Sequence, residues 1–126
     1  MKFFIYKRPN GEEIELRFTT QRIVEAEQRT GKSISELVSE MDKISCASEI
    51  VAGAIGQGDY VERMNKALDL FDEIVENGGT LIDYQLIAME ILKNAGFMTA
   101  QKVELVKKAA KAEERLLSKS LEISQN

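Results

Sequence analysis

The sequence predicts an α+β fold, with an N-terminal β-hairpin packed on a mostly helical single domain of five to six helices. Three observations predict it. Apolar residues alternate on both sides of Pro9-Asn10-Gly11, and further along they recur at steps of three and four. Capping residues and glycines punctuate that second pattern at its joints.

Phe3 and Ile5 precede the hairpin loop, and Ile14, Leu16 and Phe18 follow it. Alternation places Ile14, Leu16 and Phe18 on one face and Glu13, Glu15 and Arg17 on the other, with Phe4 and Tyr6 turned the opposite way. An isolated two-stranded hairpin is marginal in water, so the apolar face requires cover from the helices.

Thr19 and Thr20 supply a cap for a first helix carrying Ile23, Val24 and Ala26, which Thr30-Gly31 ends. Ser33, with Glu36 three residues on, forms a capping box ahead of Ile34, Leu37, Val38 and Met41. Cys46, Ala47, Ile50, Val51, Ala54 and Ile55 make a third helical pattern that stops at Gly56-Gln57-Gly58. Gly53 inside it costs roughly 1 kcal/mol against alanine, a cost that a close helix crossing would explain.

The stretch from Asp59 to Gly96 is expected to organise the chain. Tyr60, Met64, Ala67, Leu68, Phe71, Ile74 and Val75 mark one apolar helical face; Leu81, Ile82, Leu86, Ile87, Ile91, Leu92 and Ala95 mark its antiparallel partner. Asp59 and Thr80 serve as caps, and Gly78 and Gly96 suit the left-handed position after a helix. Phe18, Phe71 and Phe97 are core candidates. A last helix begins near Thr99, with Val103, Val106, Ala110 and Leu117 on one stripe and Leu105, Ala109, Ala112 and Leu116 on a neighbouring one. Beyond residue 112 the apolar face thins, so residues 113–126 are expected to fray or to be held as a helix by a partner.

All 126 residues read as one domain, without repeats or low-complexity linkers. No apolar run is long enough to span a bilayer and no secretory leader is visible, which makes the cytoplasm the expected compartment. Cys46, the sole cysteine, cannot form an internal disulfide and is expected to be a small buried hydrophobe. Charge is unevenly spread: residues 1–100 carry 11 Lys/Arg against 17 Asp/Glu, whereas residues 101–126 carry six against four. An acidic body disfavours nonspecific nucleic-acid binding, which rests on neutralising phosphates.

The chemistry-bearing residues point away from catalysis. There is no histidine, which removes histidine-based triads and histidine metal ligands. Asp69, Asp72, Glu73 and Glu76 form an acidic helical face, but a hard-metal site needs oxygen ligands converging from several elements. Gly53-Ala54-Ile55-Gly56-Gln57-Gly58 lacks the Lys-Ser/Thr ending of a phosphate-binding loop and reads as a helix stop. The short helices on either side of Gly31-Lys32 have a helix-turn-helix outline, yet the second would turn Glu36 and Glu40 toward phosphates. No metal or organic cofactor is expected. The basic set Lys102, Lys107, Lys108, Lys111, Arg115 and Lys119 has no interleaved Trp or Tyr for base stacking or membrane anchoring, so solvation of the helix surface is its first reading and protein docking its functional one. Lys111, Arg115, Leu116, Leu117, Lys119, Leu121 and Ile123 are therefore the candidate partner-binding residues. The alternatives are a small helical regulatory or nucleic-acid-associated protein and, less favoured, an enzyme with a carboxylate site.

Several segments in order carry a resemblance: Leu16-Arg17-Phe18-Thr19-Thr20; Ile23-Val24-Glu25-Ala26-Glu27; Thr30-Gly31-Lys32-Ser33-Ile34-Ser35-Glu36-Leu37; the helix with Leu68, Phe71 and Ile74; the Gly78-Gly79 break; and Leu92-Lys93-Asn94-Ala95-Gly96-Phe97-Met98. Over residues 13–98 the chain resembles the small tail assembly chaperones of long-tailed bacteriophages and phage-like elements. The resemblance implies a non-enzymatic, mostly helical protein in the cytoplasm of a bacterial host. Such a protein binds the tape-measure protein, helps tail-tube subunits assemble around it, and in many systems also exists as a longer frameshifted form. It supplies no catalytic residues and does not extend over residues 102–126, whose docking role, including self-association, rests on charge and amphipathicity alone.

Overall fold

The computed structural model describes residues 3–125, with side chains described up to Leu116 and that of Ala100 left aside. Strands β1 (Phe4–Lys7) and β2 (Glu13–Leu16) precede helices α1 (Thr20–Thr30), α2 (Ile34–Ser39), α3 (Ile44–Ala54), α4 (Tyr60–Glu76), α5 (Leu81–Asn94) and α6 (Ala100–Gln125). The fold is the expected one, a two-stranded antiparallel hairpin packed against six helices.

The hairpin loop sets its register. The Arg8 N–H donates to the Glu12 carbonyl at 2.8 Å and the Gly11 N–H to the Arg8 carbonyl at 2.9 Å, with Gly11 at φ +89°. Phe4 then pairs with Leu16 and Tyr6 with Ile14. Directly paired residues share a face, so Phe4 and Tyr6 join Ile14 and Leu16 on the inner side. This corrects the expectation that Phe4 and Tyr6 face away. It is Phe3 and Ile5 that meet solvent, each 42% exposed. The end of β2 is tied to the end of α3: the Arg17 N–H donates to the Ala54 carbonyl at 2.9 Å, and Leu16 bridges to Ile55.

The caps fall where the residue types place them. Thr19 Oγ1 accepts from the Arg22 N–H, Ser33 and Glu36 close a reciprocal capping box, Asp59 accepts from the Glu62 N–H, and Thr99 accepts from the Lys102 N–H. Between α4 and α5 the Thr80 N–H donates to the Asp83 carboxylate at 2.8 Å. Gly79 precedes it in a place where a Cβ would lie 2.5 Å from the Ile74 side chain.

The organising element is α3, and not the α4–α5 pair expected from the sequence. From Cys46 to Ala54 every α3 residue except Glu49 is buried, and α1, α2, α4 and α5 all pack on this helix. Its intrinsic helicity is poor, since Val51, Ile50 and Gly53 cost from a few tenths to about 1 kcal/mol each against alanine. Burial outweighs that cost, because fully enclosing Ile50 and Val51 contributes about 1.5–3 kcal/mol apiece.

This arrangement also rotates α4 relative to expectation. Arg63, Ala67, Leu70 and Ile74 are buried, while Leu68 and Val75 are 40% and 50% exposed. On α5 the unforeseen core residue is Tyr84, fully buried beside Ile87, Ala88, Ile91 and Leu92. Of the three phenylalanines expected in the core, Phe18 is buried and Phe71 packs at its edge against the Tyr84 ring, with centroids 5.3 Å apart. Phe97 is instead 43% exposed, as is Val24 on α1 at 44%. Cys46 is buried, as expected.

Gly53 is required by an aromatic ring and not by a helix crossing. A Cβ there would lie 2.6 Å from Phe18 Cε1 and 3.1 Å from Cδ1, inside contact distance of a ring that is itself buried. Gly53→Ala is therefore expected to destabilise the protein by about 1–3 kcal/mol despite alanine's better helix propensity. Denaturant unfolding checks this, and an unchanged or raised midpoint would contradict the close approach.

Tyr84 crosslinks the core. Its hydroxyl donates to the Ala67 carbonyl at 2.8 Å and lies 3.2 Å from Ser48 Oγ, which supplies the reciprocal hydrogen bond. Burial pushes its pKa up to about 12, against a small opposing effect of Ser48. A raised folded-state pKa means that the stabilisation is complete below pH 10 and is lost as pH rises toward 12. Wild type is expected to lose about 2–3 kcal/mol more than Tyr84→Phe across that window, whereas at pH 7 the variant is the less stable by about 1–3 kcal/mol. Parallel urea titrations from pH 7 to 11.5 measure both differences; equal alkaline slopes would contradict the assignment.

Candidate functional site

The hairpin and α4 enclose an open cleft of about 630 Å³, closed at one end by the segment after α3. Its floor is apolar, built from Ile14, Ile55 and Leu70. The walls carry five carboxylates, Glu12, Glu13, Glu15, Asp69 and Glu73, against two cations, Arg8 and Lys66. Part of the acidic face read from α4 thus becomes one wall of the cleft, with Asp72 and Glu76 exposed beyond it. Arg8 reaches across from the hairpin to form a two-pronged ion pair with Glu73, one prong being Nε to Oε2 at 3.1 Å, and also meets Glu12 at 2.9 Å. The Glu73 hydrogen bond and charge raise the Arg8 pKa above the usual arginine value. The pair fixes the hairpin over α4 and consumes one cation, leaving the remaining rim acidic.

The second feature is α6. Val103 is buried, and Val106, Lys107 and Ala110 are half-buried on the same face, toward α5. Lys107 Nζ approaches Glu90 Oε1 at 3.4 Å, and Lys93 meets the same carboxylate at 2.7 Å. Burial alone would raise the Glu90 pKa, but these two lysines hold it below the usual carboxylate range. Every residue from Lys111 to Leu116 is exposed. With 1.5 Å of rise per residue, the six exposed residues from Lys111 to Leu116 add about 9 Å of helix beyond the half-buried Ala110.

Of the predicted partner-binding residues, Lys111, Arg115 and Leu116 lie on the far half of α6 and are exposed. The side chains of Leu117, Lys119, Leu121 and Ile123 lie outside the described residues. Leu105, Ala109, Ala112 and Leu116 form an exposed stripe, with Leu105 67% and Leu116 66% exposed. That stripe is centred about 120° around the helix from the Val103–Val106–Ala110 face, since successive residues advance by about 100°, and it turns to solvent.

A third cluster joins α1, α3 and α4. Arg63, 3% exposed, donates to the Ala52 carbonyl at 3.0 Å near the C-terminal end of α3, where a cation is favoured. Burial, then Arg22 and Arg29, hold its pKa below the usual arginine value. The Arg29 guanidinium stacks 3.5 Å above the Tyr60 ring, and Glu49 receives both the Tyr60 hydroxyl and Arg29. Sequence reading missed Arg63 because a charged residue within an apolar stripe is normally assigned to solvent. Its i+4 spacing to Ala67 was the available signal.

Lys32, Glu40 and Cys46 also meet, with Lys32 Nζ 3.8 Å from the thiol sulfur. The hydrogen bond from Lys32 lowers the Glu40 pKa. Among the described residues no group of three or more His, Cys, Asp or Glu side chains is arranged to hold a metal ion, and no helix is long and apolar enough to cross a membrane. Comparison with known proteins gives no match to a family model, to a curated protein or to a solved structure.

Proposed function

We infer that this chain is a non-enzymatic tail assembly chaperone that binds the tape-measure protein of a long-tailed phage or phage-like element in the cytoplasm of its bacterial host. The observation that carries the reading is the far half of α6, an amphipathic helix whose described residues from Lys111 to Leu116 are all exposed, with Lys111, Arg115 and Leu116 among them. A long helical structural protein held before assembly presents apolar and charged helical faces. A projecting helix with one apolar stripe and one basic edge can bind such a face reversibly by laying side chains along it. The resemblance over residues 13–98 supplies the class of partner, and the charge division between acidic body and basic helix supplies a means of selection. Holding of this kind uses contact area and charge and requires no nucleotide chemistry. Tail-tube subunits enter as later partners, displacing the chaperone as they surround the tape-measure chain.

Co-expression with a tape-measure protein from the same phage or phage-like element is expected to yield a copurifying complex. Removing residues 114–126 is expected to shift the stability of the isolated protein by no more than about 1 kcal/mol, since the removed segment makes no described contact with the body, while the complex is weakened or lost. Unfolding curves and affinity copurification read the two consequences separately. Collapse of the truncated protein, or undiminished capture of the tape-measure protein, would contradict this reading.

A further inference from the structure

The projecting helix and the acidic cleft are complementary in a way that a second copy of this chain satisfies. On the helix, Ala109 and Ala112 make the middle of the exposed stripe narrow, with Leu105 and Leu116 at its ends. A narrow centre lets another surface approach the helix backbone, and the two leucines supply apolar area. Lys108, Lys111 and Arg115 line one edge of that stripe, with Glu104 the one acidic residue among them, and all four are exposed. The surface that fits is a groove with an apolar floor and acidic walls, and the cleft between the hairpin and α4 has both.

We propose that α6 of one copy lies in the hairpin–α4 cleft of a second, joining chains head to tail. Leu105 or Leu116 covers the Ile14–Ile55–Leu70 floor, and the basic edge meets Glu13 and Asp69, which are exposed on the rim. Glu73 is held by Arg8 of its own chain and contributes less.

Charge also disfavours the simpler symmetric arrangement, although Glu104 offsets part of the repulsion on that edge. In an antiparallel twofold pair of α6 helices, the symmetry axis brings the same edge of each helix together, so Lys108 would approach Arg115 of the other copy. Like charges at that range are destabilising. A heterologous contact places the basic edge on carboxylates instead. Such a contact leaves one free helix and one free cleft at the ends of every assembly, so it adds further copies or closes into a ring. This contact does not depend on a tape-measure ligand and is readable in the purified protein.

Two full-length charge-reversal variants test it. One carries Lys108→Glu, Lys111→Glu and Arg115→Glu; the other carries Glu13→Lys and Asp69→Lys, all at exposed positions. Light scattering behind size exclusion, over a concentration series at low salt, is expected to give wild type a mass that rises above the 14.2 kDa of one chain. That rise is expected to fall away in about 0.5 M salt, where the screening length is only several ångströms. Each variant alone is expected to associate at least about tenfold more weakly, because its helix and cleft carry the same sign. Mixing the two variants restores opposite signs at both contacts and is expected to recover association. A monomeric wild type throughout the series overturns the proposal, as does either variant associating like wild type. A mixture that stays monomeric while both variants keep the wild-type helical circular dichroism overturns it as well.

Discussion

Burial of α3 on nearly every side is the constraint on which the rest of the structure depends. Only Glu49 between Cys46 and Ala54 escapes full enclosure, so the neighbouring helices are positioned by a shared need to cover one apolar rod. The hairpin belongs to the same arrangement, since β2 runs out through Leu16 and Arg17 onto the last turn of α3 and the Phe18 ring lies on the bare backbone of Gly53. A marginal two-stranded ribbon thereby acquires a fixed place. The cleft exists because the ribbon is anchored at its α3 end and by the Arg8–Glu73 pair, with space left between those two attachments.

Polar groups inside the core are few and each is used to fix an angle. The Tyr84 hydroxyl spans from α5 to a backbone carbonyl of α4 and to Ser48 of α3, so three helices meet at one oxygen. An apolar residue there would pack as well but would not select one rotation of α4, and the cost of leaving Ser48 and the Ala67 carbonyl unpaired is what gives the selection its strength. Arg63 acts similarly at the end of α3. Its charge is tolerated because it meets the negative end of a helix and a carbonyl, with acidic Glu25 and Asp59 near enough to offset Arg22 and Arg29 in part.

Much of this was legible from sequence where the signal is local. Caps at Thr19, Ser33, Asp59, Thr80 and Thr99, the glycine stops and the hairpin loop are decided within four residues, and periodicity alone placed all six helices. What was not legible depends on which element lies next to which. Periodicity shows that α4 has an apolar side but not which of Leu68 or Leu70 meets α3, because both neighbour the stripe and only the partner's position separates them. The same limit reversed Phe4 and Phe3, since strand register fixes the inner face and register came from backbone bonds in the loop. The sequence points to a close helix crossing at Gly53, whereas the group that lies against it is the Phe18 ring, a contact too distant in sequence to leave a local signal. Of the candidate docking residues, Lys111, Arg115 and Leu116 are exposed on α6, and the acidic residues of α4 read from spacing do share one side of that helix. Sequence did not foresee the cleft, which needs the hairpin beside α4.

A cooperative body built around α3 is distinct from the stretch of α6 that becomes exposed after Ala110. Lys111 to Leu116 are exposed on all sides, so this stretch draws no packing stability from the body, and a short helix without such packing is marginal in water. Its ordering is then available to a partner. Native-state hydrogen exchange on dilute, monomeric protein tests that separation most directly. Amides of Ile50 to Ala54 are expected to exchange only through global unfolding, and amides beyond Lys111 with protection lower by several orders of magnitude. Equal protection of α3 and the distal half of α6 would mean that the helix belongs to the core and is not a free docking arm.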